Sequence, residues 1–217
     1  MLKFIYLNKE GVVSWLLSQI ALLLATAILL MSIASLTFYS DWQKEAEAKA
    51  VASEIATMIE IADLKTAPNS TIFMLPQKKF SYDAYLSTDY VIVIRTDGRI
   101  KKEIKEVEAL IIKPHIRIDY LNHEWYTGEE LHQWLKEVYG HSGESIAPLP
   151  YQKKTDVESL LESELEETAK NLALNPLHLD VNKPLVIEKT FIYFEKEGKE
   201  EKNLESMGLV IVYQSEE

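Results

Sequence analysis

An uncharged stretch near the start of the chain constrains the fold more than any other feature. Residues 12–38, VVSWLLSQIALLLATAILLMSIASLTF, contain no Asp, Glu, Lys, Arg or His. A helix needs about 20 apolar residues to cross the hydrocarbon core of a bilayer. A cleaved secretory signal has a shorter apolar core of about 7–15 residues. The stretch therefore predicts a single-pass transmembrane helix, with membrane lipid as its first partner.

The residues that flank this stretch predict its orientation. Trp15 lies near one end and Tyr39 and Trp42 follow the other, as expected for aromatic belts at the two membrane interfaces. Two lysines lie on each side within a short distance, so the positive-inside rule alone is nearly balanced. The shortness of the leader, residues 1–11, favours an N-terminus inside. We therefore expect the C-terminal domain outside the cytoplasm.

The helix is predicted to continue beyond the apolar stretch. Residues 39–64 contain no Gly or Pro and are rich in Ala, Glu and Lys, which favour helix. Apolar residues recur there at spacings of three and four, which places them on one face: Ala48, Val51, Ala52, Ile55, Met58, Ile59 and Ala62. We expect one continuous helix from about Val12 to Leu64. Its apolar face can be covered by the chain's own domain or by a partner.

Small and polar residues on this helix predict contacts with other helices. Such residues let backbones approach closely and form hydrogen bonds across helices in lipid. The predicted helix–helix contacts are Ser14, Ser18, Gln19, Ala25 and Ser32 in the apolar half, and Ala48, Val51, Ala52, Ile55 and Ile59 in the amphipathic half.

Residues 65–217 predict a head domain of the α+β class. Strand patterns occupy residues 70–75, 89–104 and 108–121, and the second of these contains an Asp97-Gly98 hairpin turn. Two helices follow at 127–140 and 155–174, with a loop at 141–152 between them. Capping-box spacing marks the start of each helix, at Thr127 with Glu130 and at Thr155 with Glu158. A closing hairpin at 184–195 and 207–214 completes a mostly antiparallel sheet.

The head contains no recognisable catalytic, cofactor or metal motif. The chain has no cysteine, and its five histidines are scattered; His123-Glu124 lacks the second histidine of a zinc-protease motif. No glycine-rich phosphate loop is present, and the Glu-rich run at residues 158–167 predicts a solvated helix face. A net charge of −11 opposes nucleic-acid binding. We expect a protein that is not an enzyme and has no cofactor or nucleic-acid partner.

One triplet predicts a modification. Asn69-Ser70-Thr71 is an N-glycosylation acceptor that follows Pro68 in a predicted loop. It agrees with an external head.

The layout as a whole resembles a known family. A short leader with Lys9 and Gly11, an uncharged stretch from Val12, and an amphipathic extension lead into EIATMIEIADLKTAPNSTIFMLPQKKFSYDAYLSTDYVIVIRTDG, residues 54–98. This arrangement resembles the archaeal branch of the type IV pilin-like proteins. The resemblance covers roughly residues 1–100. It implies a structural surface subunit that packs through its N-terminal helix against other pilin-like or membrane subunits, with a processing site between Gly11 and Val12.

The chain departs from the family pattern at two positions. Glu10 precedes Gly11, where a basic residue is usual, and Leu16 stands where bacterial-type pilins carry Glu. Two alternatives therefore stay open. One is a single-pass accessory or sensor subunit whose external domain binds a partner protein or solute. The other is a membrane-tethered enzyme, which a pocket with converging carboxylates and a histidine would favour.

Overall fold

The computed structural model describes residues 9–96, 103–118, 123–196 and 203–214. The chain divides into two compact units, Met1–Ala46 and Glu47–Glu217. The α+β class is confirmed, with the strands of the second unit arranged in two sheets. The elements that the described residues form are α1 (Lys9–Asp63), β1 (Asn69–Phe73), β2 (Ser81–Leu86), β3 (Tyr90–Thr96), β4 (Glu103–Ala109), β5 (His115–Ile116), α2 (Gly128–Tyr139), β6 (Leu149–Pro150), α3 (Lys154–Leu174), β7 (Leu177–Leu179), β8 (Leu185–Lys196) and β9 (Asn203–Gln214).

Helix α1 confirms the predicted continuous helix, which runs through Phe38 and Tyr39 without a break. From Val13 to Ser40 every residue is exposed except Ala27, which is half-buried. By length and composition, α1 is the one helix in the described part of the chain that is able to cross a membrane. Residues 12–38 alone rise about 40 Å at 1.5 Å per residue, against a hydrocarbon thickness of about 30 Å.

The first sheet is mixed and has the strand order β1-β8-β9-β5, with β6 beside β8. Its centre is the predicted closing hairpin, confirmed as an antiparallel pairing of β8 with β9 from Leu185↔Gln214 to Lys196↔Asn203. The predicted strand at residues 70–75 forms β1, antiparallel to β8. Strands β5 and β6 are short and pair in parallel with β9 and β8.

The second sheet is antiparallel, with the order β4-β3-β2-β7. Its β3–β4 pair, with Thr96 opposite Glu103, confirms the predicted hairpin arms. The Asp97-Gly98 turn predicted to join them lies outside the described residues.

The strand predicted over residues 108–121, with an interruption at Pro114, is not one strand but is divided between the two sheets. β4 ends at Ala109, and β5 contains only His115 and Ile116 in the other sheet. The backbone amide of Leu110 donates to Asp89 O at 2.9 Å and closes the β4 ladder. Pro114 then supplies no amide, so the chain leaves one sheet and joins the other at this point.

The two head helices differ in how well their starts were predicted. Thr127 caps α2 as expected, accepting from the Glu130 amide at 3.2 Å, and Gly140 ends the helix with a left-handed φ of 78°. Helix α3, by contrast, follows a 3-10 turn at Tyr151–Lys153 and has no side-chain cap. The Thr155 capping box was therefore wrong, because Thr155 already lies inside the first turn.

The first sheet is buried on both faces. Along β9, Val210 and Val212 belong to one apolar cluster and Leu209 and Ile211 to another. The first cluster contains the amphipathic face of α1 and residues of both sheets. The second contains residues of α2, α3 and Trp125. The chain's own domain therefore covers the apolar face of α1 from Ala48 to Ala62.

Candidate functional site

A buried ion pair lies where β5 meets α3. The backbone amide of Arg117 donates to Val212 O at 2.8 Å and holds this residue alongside β9. Its side chain is 1% exposed, and the guanidinium contacts both carboxylate oxygens of Glu164 on α3, with Nη2 3.4 Å from Oε2. Burying an arginine is costly unless its charge is compensated and its donors are bonded. The pair therefore fixes α3 to the edge of the first sheet.

Aromatic rings complete the surroundings of Arg117. The guanidinium carbon lies 3.2 Å from the ring centroid of Trp125, and the His115 imidazole lies 5.8 Å from the same ring. Stacking of this kind favours arginine over lysine, since the planar guanidinium is the more weakly hydrated cation. Burial, and secondarily the Arg117 charge, lowers the pKa of His115 to about 4. His115 is therefore neutral at pH 7.

Glu164 remains charged although it is largely buried. Burial alone would raise its pKa, but contacts with His123 and Arg117 and the positive charge of Arg117 outweigh that effect. The resulting pKa lies below the ordinary value of a glutamate. The carboxylate is thus an acceptor at neutral pH and is poorly suited to donate a proton as a general acid.

His123 has one ring nitrogen occupied and the other without a partner. Its Nδ1 lies 2.9 Å from Arg117 Nη1. The same nitrogen lies 3.4 Å from Glu164 Oε1, so it is placed both to accept from the guanidinium and to donate to the carboxylate, according to the tautomer. The side chain is 5% exposed, and Nε2 is buried with no hydrogen-bond partner among the described residues. Buried polar atoms of this kind are rare and call for a specific explanation.

Three residues of this cluster, His123, Trp125 and Glu164, line a cleft in the head with a volume of about 790 Å³. We call it the α3 cleft. One wall is a face of α3 and the other is the segment 123–125. The residues that line it are His123, Glu124, Trp125, Ser159, Leu160, Ser163, Glu164, Glu167, Thr168 and Asn171.

A second cavity, of about 550 Å³, lies between β1, α2 and β8. Several of its polar groups are bonded within the fold. His132 is bonded to Ser142 O at 2.8 Å and to Thr190 Oγ1 at 3.0 Å. The amide of Gly128 at the start of α2 donates to Glu188 Oε2 at 2.8 Å. His132 therefore has a structural role, and the α3 cleft is the stronger candidate site.

The predicted helix–helix contacts fall into two groups. Ser14, Ser18, Gln19, Ala25 and Ser32 are exposed on α1. Two of their hydroxyls bond to the helix itself, since Ser18 Oγ donates to Ser14 O at 3.0 Å and Ser32 Oγ to Ile28 O at 2.8 Å. These hydroxyls are satisfied without a partner helix, whereas the exposed amide of Gln19 is a group that lipid cannot satisfy.

The second group lies inside the head. Five side chains predicted to contact a partner helix are completely buried in the head's own core: Ala48, Val51, Ala52, Ile55 and Ile59. Their contact surface is covered by residues of the two sheets, which corresponds to the chain's own domain among the two coverings that the sequence left open. The 3–4 spacing correctly indicated burial but could not identify the covering surface.

The remaining predicted positions lie at the two ends of the anchor region. Gly11 and Val12 belong to α1, and their burial lies outside what the structure describes. Asn69 is exposed at the first position of β1, and its Oδ1 accepts a hydrogen bond from Thr71 Oγ1 at 3.0 Å. The acceptor asparagine is thus accessible, in a strand rather than in the predicted loop.

Sequence reasoning missed the residues of the α3 cleft. Glu164 was assigned to a solvated face, which is wrong for this member of the acidic run, because Arg117 approaches it from another element. The sequence signal for this site was the use of arginine, because the chain contains only three arginines against 20 lysines. Arg95 and Arg117 are both buried and lie over aromatic rings, Arg95 at 4.0 Å from the Phe80 centroid. Arg99 lies outside the described residues.

Comparison of the chain with models of protein families, with characterised proteins and with solved structures finds no match.

Proposed function

We propose that this chain is a membrane-anchored, pilin-like surface subunit without catalytic activity, whose α+β head lies outside the cytoplasm. The observation that carries the proposal is the division of α1. Its first half is uncharged and exposed from Val13 onward, while its second half forms the core of the head. A long apolar N-terminal helix followed by a β-sheet domain is consistent with a pilin-like fold.

Lipid or like helices are the environment that the exposed half of α1 requires. Large apolar side chains along it are between 47% and 76% exposed, from Leu16 to Phe38. An apolar surface of this extent is unstable in water. Since the amphipathic half is covered by the head, assembly with other subunits is confined in this proposal to the first half. Gln19 and the small residues Ala25 and Ser32 are the contacts proposed there.

The proposal predicts three properties of the protein in its own host. The chain resists extraction from membranes by alkaline carbonate, its N-terminus after processing is Val12, and protease added to intact cells degrades the head. N-terminal sequencing of protein from membranes and from sheared surface filaments tests processing and assembly together. An intact Met1 together with strictly monomeric extraction would contradict a pilin-like subunit, and release by carbonate would contradict the anchor.

The α3 cleft favours a second candidate function, a single-pass accessory or sensor subunit that binds a solute. A concave site of several hundred Å³ with a few convergent polar groups is the usual form of a small-molecule site. The cleft also has the carboxylates and histidine that an enzyme would use. Turnover of a bound ligand by the full chain, detected by mass spectrometry, would favour the enzyme, whereas recovery of unchanged ligand favours a binding role.

A further inference from the structure

We propose that Asn69 carries an N-linked glycan and that this glycan covers the free edge of strand β1, where it prevents pairing with another copy of the chain. The acceptor triplet shows where a saccharide can be attached, and the surroundings of Asn69 in the fold show what the saccharide does there. The inference rests on the proposed function, since glycosylation requires a head outside the cytoplasm.

The carboxamide of Asn69 is placed for modification. The side chain is exposed at the first residue of β1, directly after Pro68. Its Oδ1 accepts a hydrogen bond from Thr71 Oγ1 at 3.0 Å, whereas Nδ2, the atom to which a sugar is attached, bonds to no residue in the described part of the chain. The hydroxyl of the acceptor triplet is therefore in contact with the asparagine, and the nitrogen is available.

The attachment is a group transfer from a lipid-linked sugar phosphate, which the host supplies. A bond forms between Asn69 Nδ2 and the anomeric carbon of the first sugar, and the bond from that carbon to the phosphate oxygen breaks. The phosphate leaves with the electron pair of the broken bond, and Nδ2 loses one proton to a base of the host's transferase. This chain supplies only the acceptor triplet.

Strand β1 is an outer strand of the first sheet. It pairs with β8 on one side, and no described strand pairs with its other side. The unpaired amides and carbonyls of such an edge are a template for a strand from another chain. Ile72 on β1 is 71% exposed and Met74 just beyond it is 54% exposed, so apolar surface accompanies the free backbone groups. An uncovered edge of this kind favours association of copies.

The other outer strands that the structure describes have the usual protection against such pairing, which is shortness or charge. Strands β5 and β6 contain two residues each, and β7 contains three. Strand β4 has seven residues, but four of them are charged: Glu103, Lys105, Glu106 and Glu108. Residues 66–76, by contrast, contain no charged side chain in a chain of net charge −11. The edge that lacks both kinds of protection is thus the one that carries the acceptor triplet.

A glycan at Asn69 supplies the missing protection. An N-linked saccharide is bulky and well solvated, and its attachment at the first residue of β1 places it beside the unpaired edge. A strand from another copy would have to displace this hydrated bulk before it could pair with β1. The saccharide therefore acts as the charged side chains do on β4, and it needs neither a pocket nor a complementary surface.

The test of the modification is mass spectrometry of the full chain recovered from membranes of its own host. Trypsin releases residues 66–78, TAPNSTIFMLPQK, in which Asn69 is the single asparagine. We expect this peptide to carry a saccharide, and we expect Asn69→Gln and Thr71→Val to abolish the modification. Thr71→Ser and Ser70→Ala are the matched controls, which keep the triplet and should keep the saccharide.

The test of the protective role is sedimentation velocity of the chain in detergent. At equal concentration, Asn69→Gln should increase the self-associated fraction several-fold over that of the glycosylated chain. Ile72→Lys added to Asn69→Gln should return this fraction to the value of the glycosylated chain, because a charge protects an edge strand. Ile111→Lys added instead, at an 86% exposed position outside the strands, should leave the fraction raised.

Two outcomes would overturn the inference, namely an unmodified peptide 66–78 and equal self-association of the glycosylated chain and Asn69→Gln. Protease digestion of intact cells separates this failure from that of the proposed function. If the head is degraded while Asn69 is unmodified, the external head stands and the glycan inference alone fails; if the head is protected and Asn69 is unmodified, both fail. Circular dichroism shows whether each variant is folded.

Discussion

The Nζ of Lys189 on β8 lies 2.6 Å from Oδ1 of Asp63, the last residue of α1. The lysine side chain is only 5% exposed, whereas that of Asp63 is 38% exposed. Close packing holds the lysine in this position, since a Cβ added at Gly208 on β9 would lie 2.8 Å from Nζ. The contact therefore fastens the end of α1 to the centre of the first sheet.

Removal of Asp63, the acidic partner of Lys189, should destabilise the head. Asp63→Ala leaves Lys189 buried without a counter-charge, and we expect a loss of about 2 kcal/mol in the free energy of unfolding. Glu54→Ala is the control, because its pair with Lys78 is partly exposed at 3.7 Å, and should change stability by less than about 0.5 kcal/mol. Urea denaturation of the full chain in detergent measures both. Equal effects of the two substitutions would show that burial of Lys189 is unimportant.

The Arg117–Glu164 pair should behave as one energetic unit. Either Arg117→Leu or Glu164→Leu leaves a buried charge uncompensated and should cost about 3 kcal/mol, while the double variant should cost clearly less than the sum. A parallel cycle on Glu166 and Lys170, an exposed pair at 3.6 Å, provides the comparison; its coupling should be below about 0.5 kcal/mol. If the losses in unfolding free energy caused by Arg117→Leu and Glu164→Leu are additive, the two side chains do not interact and the buried ion pair is excluded.

Features encoded locally could be predicted from the sequence. The continuation of α1 over residues 39–63 followed from the absence of Gly and Pro there and from the apolar spacing, and α2 followed from Thr127 and Gly140 at its ends. The β8–β9 hairpin followed from two β-rich runs joined by a polar segment. In each case neighbouring residues supply the determining interactions, so no knowledge of the tertiary fold is needed.

Features that depend on distant residues could not be predicted. Spacing along α1 shows which face is apolar, but only the folded sheets show what covers it. The capping-box spacing at Thr155 had the right residues, yet the preceding 3-10 turn started α3 one residue earlier. The sequence does not distinguish Glu164 from its acidic neighbours, because its partner Arg117 lies 47 positions away in the chain. The α3 cleft therefore became apparent only in three dimensions.

His115 should make the head less stable at mildly acidic pH. Its pKa in the folded chain is about 4, below the ordinary 6.5. Between these values the unfolded chain binds a proton that the folded chain does not, so stability is complete above pH 6.5 and decreases as the pH falls towards 4. Between pH 7 and pH 5 this effect amounts to about 2 kcal/mol. Denaturation curves at the two pH values should therefore differ less for His115→Gln than for the unmodified chain.

The exposed His141 provides the control for this measurement. His141→Gln should keep the full difference in unfolding free energy between pH 7 and pH 5. If His115→Gln keeps it as well, acid destabilisation arises elsewhere in the head.

A charge placed in the uncharged stretch should release the chain from membranes. Leu24 lies near the middle of residues 12–38 and is 59% exposed. An arginine at the centre of a spanning helix costs about 2.5–3.5 kcal/mol on the insertion scale, so Leu24→Arg should increase the fraction extracted by alkaline carbonate several-fold. Leu174→Arg, at an 84% exposed position of the head, should leave that fraction unchanged. Immunoblots of pellet and supernatant give the fractions. Equal extraction of both variants would mean that α1 is held by protein contacts rather than by lipid.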